Sequence, residues 1–417
     1  YGMSNGSNYA LARICAGAAY ARGATGSGIK VAVIDTGIYS GHLDFNDTGK
    51  VNKPTGSDNI NNDNDPNDDE GHGTHVAGII AADNDNQAGS PIVTDGMHGV
   101  AYESKIYVFK AGNSDGAFPN AAIANSLSEA ITAEVDIINN SYGASNEIGV
   151  DCTNASTCES TIGSAVYTQM ESAGSNNIIN VWAAGNAGGY ADQGVDYSHP
   201  ELLPGMAYLI PEIQGHSIAV VSIDEDGGIS DFSSRCGVAQ DYCIAAPGGR
   251  ITAAYPTSRS DTGIYESNIT SNDYNSCVVD NSCFAITNGT SFAAPFVSGG
   301  LAVIAEHFEG QLGSVEIVNR MFATANKGGV YEDKAIYGQG LLDLAAATAP
   351  VGTVSALMSE NLNGPRLSAI FTGIQLTSPS FGDAISNGIS NKSVIFFDDL
   401  NAPFRRSLNG LVSDYRN

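Results

Sequence analysis

Gly28-Ile29-Lys30-Val31-Ala32-Val33-Ile34-Asp35 is a short, nearly continuous apolar run that ends in an acid. A run without polar alternation reads as a strand covered on both faces, the situation of a central strand in a parallel sheet. Similar runs recur at 104–110 (SKIYVFK), 135–139 (VDIIN), 177–183 (NIINVWA) and 217–223 (SIAVVSI), with helical stretches such as 121–133 between them. Strands alternating with helices predict an α/β domain with right-handed crossovers, whose function gathers on loops at the carboxyl ends of the strands. Asp35 stands at one such end.

Further along, Ser291 to Glu306 (SFAAPFVSGGLAVIAE) has the pattern of a buried helix built from small residues, despite its Gly299-Gly300 pair. Pro350 and Gly352 mark an expected boundary, giving a main domain of residues 1–349 and an extension of 350–417. The extension alternates apolar and polar positions and carries turn residues, which suits a small β-rich unit or an extended linker.

Composition narrows the function. Against 18 Lys+Arg stand 45 Asp+Glu, a net charge of −27, and both nucleic acids and anionic membranes need a basic face that such a chain lacks. No apolar run reaches the roughly 18 residues of a membrane helix, and no charged-then-apolar leader is present. The first residue, Tyr1, reads as the product of processing or trimming. Of the 7 cysteines, six fall into close couples in polar loops: Cys152 with Cys158, Cys236 with Cys243, and Cys277 with Cys283. Neither a CxxC nor a histidine partner accompanies them, so local disulfides are expected rather than zinc, with Cys15 left free. Disulfides place the chain in an oxidising, extracytoplasmic compartment.

Acyl transfer by a serine hydroxyl needs a base, a carboxylate to orient that base, and donors for the developing oxyanion. Asp35 in Asp35-Thr36-Gly37 has small neighbours that leave room for an imidazole. His72 lies in Gly71-His72-Gly73-Thr74-His75-Val76-Ala77-Gly78, where glycines let the chain approach a substrate. Ser291, in Gly289-Thr290-Ser291-Phe292-Ala293-Ala294-Pro295, opens a helix whose first-turn N–H groups are unsatisfied. Asn186, in Ala183-Ala184-Gly185-Asn186, follows a buried strand. Singly these are an ordinary turn acid, loop histidine, N-cap serine and turn amide. Together, in the order Asp, His, Asn, Ser and within motifs several residues long, they resemble the subtilisin-like serine proteases from about Gly28 to Ala347.

That resemblance implies a three-layer fold with a mainly parallel central sheet flanked by helices, and a secreted serine endopeptidase acting as a monomer on proteins or peptides. Ser291 would be the nucleophile, His72 the general base, Asp35 its orienting carboxylate, and Asn186 with the Ser291 N–H the oxyanion hole. Ser141, Tyr142 and Gly143 would pair with extended substrate and face Ala184 and Gly185 across the primary pocket. An N-terminal propeptide removed on activation belongs to the same expectation. Gly338-Gln339-Gly340-Leu341-Leu342-Asp343, followed by Ser380-Phe381-Gly382-Asp383 and Phe396-Phe397-Asp398-Asp399-Leu400, is similar to the passenger end of bacterial autotransporter subtilases, in which a membrane barrel follows. Two other readings of the same residues are a triad-dependent peptide ligase or transpeptidase, and a non-catalytic surface adhesin on a protease scaffold. The acids Asp192, Asp196, Glu201 and Glu212 could select basic side chains or be scattered surface charge. The expected preference is aromatic or bulky apolar, from an apolar wall at Tyr142.

Asp58 to Glu70 (DNINNDNDPNDDE) has no helical or strand period, and charges packed so densely repel unless a cation neutralises them. Oxygen donors in an irregular loop suit calcium better than magnesium. Asp58, Asn61, Asp63, Asp65 and Asn67 are similar to the medium-affinity calcium loop of thermitase-like subtilases. Asp44 with Asp83, Asn84, Asp85 and Asn86 resembles the family's strong site. The role expected of the ion is structural.

Overall fold

The protein is described from a computed structural model, which covers residues 9–84, 98–143, 148, 152–256, 274–279, 282–357, 366–368, 374–375, 392–407 and 412–413. The opening run forms β1, Lys30–Asp35, near the middle of a seven-stranded sheet. Its companions are β2 (Val51–Asn52), β3 (Lys105–Lys110), β4 (Ile137–Asn140), β5 (Ile179–Ala183), β6 (Ser217–Ile223) and β7 (Cys243–Pro247), in the spatial order β2-β3-β1-β4-β5-β6-β7. Every pairing in it is parallel. Val31, Ala32, Val33 and Ile34 are essentially inaccessible, which is why this strand shows no alternation: helices cover both of its faces.

The strands expected at 104–110, 135–139, 177–183 and 217–223 all form, with ends moved by a residue or two, and the helix expected at 121–133 is Asn120–Thr132. β7 was not anticipated, because Cys-Ile-Ala-Ala-Pro offers a single β-branched residue and no aromatic, too little to mark a strand. Two helices pack against each other on one face of the sheet at its centre, and the helix Asn120–Thr132 lies on the other. His72–Ala81 is buried at every position after the first, and Thr290–His307 is buried from Phe292 to Ile304. The Gly299-Gly300 pair is explained by close approach: a Cβ at Gly299 would lie 2.7 Å from the Val100 side chain, and one at Gly300 2.9 Å from Leu342. Among the described residues no helix is long and apolar enough to cross a membrane.

Beside the main sheet, Ile251–Tyr255, Tyr274–Val279 and Ser282–Thr287 form an antiparallel three-stranded sheet. The C-terminal region carries small sheets of its own. Arg366–Ser368, Ser355–Leu357, Ser393–Phe397 and Pro403–Ser407 pair antiparallel, and Ile374–Gln375 pairs with Val412–Ser413. One buried ion pair crosses the expected boundary, Arg320 Nη1 to Asp398 Oδ2 at 2.8 Å.

Cys152–Cys158 and Cys236–Cys243 are disulfides, with Cα separations of 5.3 and 5.7 Å. Cys283 is disulfide-bonded, while the side chain of Cys277 lies outside the described residues. Cys15 is free and exposed.

Candidate active site

Asp35 ends β1 with its side chain fully buried. Its Oδ1 accepts from Thr36 N at 2.7 Å and faces His72 Nδ1 at 2.7 Å. The helix that carries His72 begins at Gly71, whose φ of +112° belongs to glycine, and a Cβ there would strike the Tyr255 ring. Asp68 holds this helix start. Its Oδ1 accepts from Gly71 N (2.7 Å), Glu70 N (3.0 Å) and Thr36 Oγ1 (2.9 Å), and its Oδ2 from Thr74 N (2.9 Å). An acid at a helix N-terminus satisfies orphan N–H groups and complements the dipole. In sequence Asp68 is one acid of a dense loop; the signal for its capping role is its place a few residues before a glycine-led helix.

Burial alone would lower the His72 pKa, but the charge and hydrogen bond of Asp35, aided by Glu70 and Asp68, outweigh it and lift His72 to about 9. His75, three residues on, is buried and apart from this pair. Its Nε2 meets Ala285 O at 3.1 Å and Thr287 Oγ1 at 3.1 Å, and burial pushes its pKa down to about 3. It is a neutral packing residue.

Ser291 is the second residue of the Thr290–His307 helix. Its Oγ donates to Ser141 O (3.0 Å), and Ser141 Oγ donates back to Ser291 O (2.7 Å). Behind them Ser298 Oγ donates to Asn139 Oδ1 (2.8 Å) and Asn139 Nδ2 to Ser141 Oγ (2.9 Å), so a buried polar chain fixes the serine against the end of β4. Asn186 follows β5. Its Oδ1 accepts from Thr290 N (3.0 Å) and Thr290 Oγ1 (3.1 Å), which commits the oxygen and leaves Nδ2 as the donor end. Gly185 N donates to the same Thr290 Oγ1 at 3.1 Å. His72, Ser291, Ser141, Tyr142 and Gly143 share one cavity of about 370 Å³, along with Phe118, Asp115 and Glu70. Tyr142 is buried, stacked on Phe118 at 4.6 Å, with its hydroxyl donating to Asn140 Oδ1 at 2.8 Å.

The arrangement is an imidazole held by a buried carboxylate, next to a hydroxyl at a helix start. A match to the subtilase family extends over residues 26–340. The chain belongs to the subtilase family. It is similar to Subtilisin DY of Bacillus licheniformis, 30% identical over 341 residues that cover 81% of this chain and 97% of that one. Subtilisin BL of Lederbergia lenta is 30% identical over 340 residues, 82% of this chain and 98% of its own. The Extracellular serine protease of Serratia marcescens is 29% identical over 376 residues, but only 33% of that longer protein is covered. This subtilase is therefore a serine endopeptidase, a hydrolase.

The residues expected to hold metal divide. In the first loop Asp58 is buried and its carboxylate accepts from Ile60 N, Asn61 N and Asn61 Nδ2. Asn61, Asp63 and Asp65 are exposed, and Asp65 pairs with Lys53 at 3.1 Å. Asn67 O accepts from Lys110 Nζ at 2.7 Å. At the second site Asp83 N donates to Asp44 O (2.8 Å), and the Asp83 carboxylate pairs with buried Lys50 at 2.9 Å. Asn84 is exposed, and Asp85 and Asn86 lie outside the described residues. Among the described residues no group of three acids, histidines or cysteines converges on a metal position.

Proposed function

We propose that this subtilase is an extracytoplasmic endopeptidase that hydrolyses peptide bonds through an acyl-enzyme formed on Ser291. The observation that carries the reading is the 2.7 Å contact of His72 Nδ1 with buried Asp35, in a cavity that also exposes Ser291. Rotation of the Ser291 side chain away from Ser141 O turns its Oγ to the imidazole. His72 takes the hydroxyl proton as Oγ attacks the scissile carbonyl, and Asp35 stabilises the imidazolium that results. The oxyanion is received by Asn186 Nδ2 and the Ser291 N–H. His72 then returns its proton to the leaving amine. Water, deprotonated by His72, releases the acid and restores the serine. Extended substrate would lie along Ser141, Tyr142 and Gly143, opposite Ala184 and Gly185. The two disulfides support an oxidising compartment.

Calcium belongs to this reading as a stabiliser of the loop before His72. The exposed oxygens of Asn61, Asp63 and Asp65 suit it, since the Lys53 pair at Asp65 is itself exposed and weak, whereas Asp83 is already held by the buried ammonium of Lys50. No step of the reaction passes through the ion. The unit of residues 1–349 is taken to contain all the chemistry, with 350–417 as an appended region.

Ser291→Ala should abolish labelling by a fluorophosphonate and lower kcat/KM on a protein substrate by at least about 10⁴-fold, with the far-UV spectrum unchanged. Equal labelling of the variant refutes the assignment. Net peptide joining in the presence of amine acceptors at physiological concentration would favour the ligase, and absence of any turnover the adhesin.

A further inference from the structure

The family match begins at residue 26, and the segment ahead of it reaches the turn that supports the Ser291 loop. Tyr9–Arg13 is a short helix with Tyr9, Ala10 and Leu11 buried. Its two ends, four residues apart and so on one face, hold two turns at the carboxyl ends of β6 and β7. Arg13 donates to Glu225 O in the turn after β6, and Tyr9 Oη donates to Gly249 O at 2.5 Å in the turn after β7. Burial, together with the carboxylates of Asp224 and Glu225, raises the Tyr9 pKa, so the phenol stays a donor through the alkaline range in which His72 becomes neutral.

The turn that Tyr9 holds is itself fastened to the residues just before Ser291. Gly248 O accepts from Gly289 N at 3.0 Å, and Arg250 N donates to Asn288 Oδ1 at 2.7 Å. No side chain fits between turn and loop: a Cβ on Gly248 would lie 2.6 Å from Gly289 O and 3.0 Å from the Ala293 side chain. Arg250 is kept at φ +54°, a left-handed conformation that is costly for a residue with a Cβ and persists where neighbours enforce it. Gly248 N and Gly249 N both donate to Ile223 O, at 3.1 and 3.2 Å. A crowded, strained turn thus has three supports: the end of β6, the 288–289 segment, and Tyr9.

We propose that Tyr9 is a positioning residue for the nucleophile: its hydroxyl fixes the Gly248–Arg250 turn, and through Asn288 and Gly289 that turn sets where Thr290 and Ser291 begin their helix. The inference rests on Ser291 as the nucleophile. Tyr9 is not among the residues that line the cavity of His72 and Ser291, so it acts through the backbone. Thr290 N and Oγ1 hold Asn186 Oδ1, and the Ser291 N–H is the second proposed oxyanion donor. A shift of the helix start therefore misplaces both donors against the transition state, whereas extended substrate pairs at the end of β4, on the far side of the serine from this turn. The loss falls on kcat and not on KM.

The test compares the full wild-type chain with Tyr9→Phe, which keeps the ring and removes the hydrogen bond to Gly249. Well below both melting temperatures, kcat on a peptide substrate and the rate constant for fluorophosphonate labelling should each fall by about 10-fold, with KM unchanged to within about twofold. Arg13→Met is the control. It releases the same helix from the turn after β6, and should lower the melting temperature while leaving kcat and labelling at wild-type values. An unchanged kcat in Tyr9→Phe overturns the proposal, as does a change confined to KM. So does an equal loss of kcat in Arg13→Met, which would make helix docking, and not the hydroxyl, the cause. Asn288→Ala cuts the link between turn and nucleophile without touching the helix, and should lower kcat in the same way; wild-type kcat in that variant also overturns the proposal, and this measurement decides if Tyr9→Phe does not fold. Absence of labelling in the wild-type chain is a different failure, because it refutes the catalytic reading beneath.

Discussion

Asp398→Asn removes one charge from a pair that joins the C-terminal sheets to the main domain, and its cost can be worked from the surroundings. The Arg320 side chain is 1% exposed and that of Asp398 0%. The guanidinium donates from Nε to Ala347 O (2.6 Å) and from Nη2 to Ala349 O (2.6 Å), and stacks on Phe308 and Phe404 with centroid distances of 4.5 and 5.3 Å. Breaking a buried pair by neutralising one partner costs about 3–5 kcal/mol. The two carbonyls and two rings remain, so the low end, about 3 kcal/mol, is expected. An unfolding entropy of about 2.1 cal/mol/K per residue over the 417 residues gives about 0.9 kcal/mol/K, hence a fall of about 3 °C in melting temperature. Calorimetry in a Ser291→Ala background excludes self-digestion, and a cycle with Arg320→Met should show a coupling of at least about 1 kcal/mol. A melting temperature within 1 °C of the parent, or an additive cycle, refutes the reasoning. The same pair means that truncation after Pro350 would remove none of the proposed catalytic residues yet take away the carboxylate partner of the Arg320 guanidinium.

With His72 as the proposed general base, activity requires its neutral form, and its pKa is lifted to about 9. The acid limb of kcat/KM should therefore lie well above the ordinary histidine value of about 6.5, and Glu70→Gln should move it down; a limb at 6.5 in both would deny the influence of these carboxylates. The same shift stabilises the fold fully below about pH 6.5, and that contribution is lost as pH rises through about 9. Asn186→Ala should lower kcat by about 10²–10³ with little change in KM, the range known for losing one such donor in subtilisin; a pure KM effect would remove Asn186 from the oxyanion hole. Excess chelator should lower the melting temperature of the Ser291→Ala variant, and superimposable curves with no calcium by elemental analysis would leave the proposed site without support.

The centre of this molecule was readable because its strands are buried on both faces and so write themselves as unbroken apolar runs. Val31 to Ile34 and Ile218 to Val221 needed no partner in sequence to be recognised. The residues of the candidate site were readable for another reason: Asp35, His72, Asn186 and Ser291 each sit in a motif whose small neighbours leave room for close approach. What escaped was everything decided by pairing across long sequence distance. Asp398 stood out only as part of the Phe396–Leu400 stretch, and its partner lies 78 residues earlier. Glu201 had the same local chemistry as Asp192, Asp196 and Glu212, and only the fold places it between Gly143 and Gly185. Asp68 was one acid among many until the helix that it caps was in place.

The acidic stretches on either side of the His72–Ala81 helix are where charge, fold and chemistry meet. A chain with 45 acids and 18 bases buries two lysines beside that helix. Lys110 ends β3 in register with Asp35 and binds Asn67 O and Asp69, so the strand next to β1 anchors the loop that supplies Asp68 to the helix start. Lys50 pairs with Asp83 just past the helix end. Burial outweighs Lys50 and leaves the Asp83 carboxyl above its ordinary range, and a buried pair of this kind serves to fix position more than to add stability. Both ends of the helix are thus held by charges that belong to the chain. Calcium bound at Asn61, Asp63 and Asp65 would act in parallel with these clamps. Its removal should therefore soften the outer loop and lower the melting temperature while leaving the contact between His72 and Asp35 in place, because that contact depends on Asp68 and Lys110, which no chelator can extract.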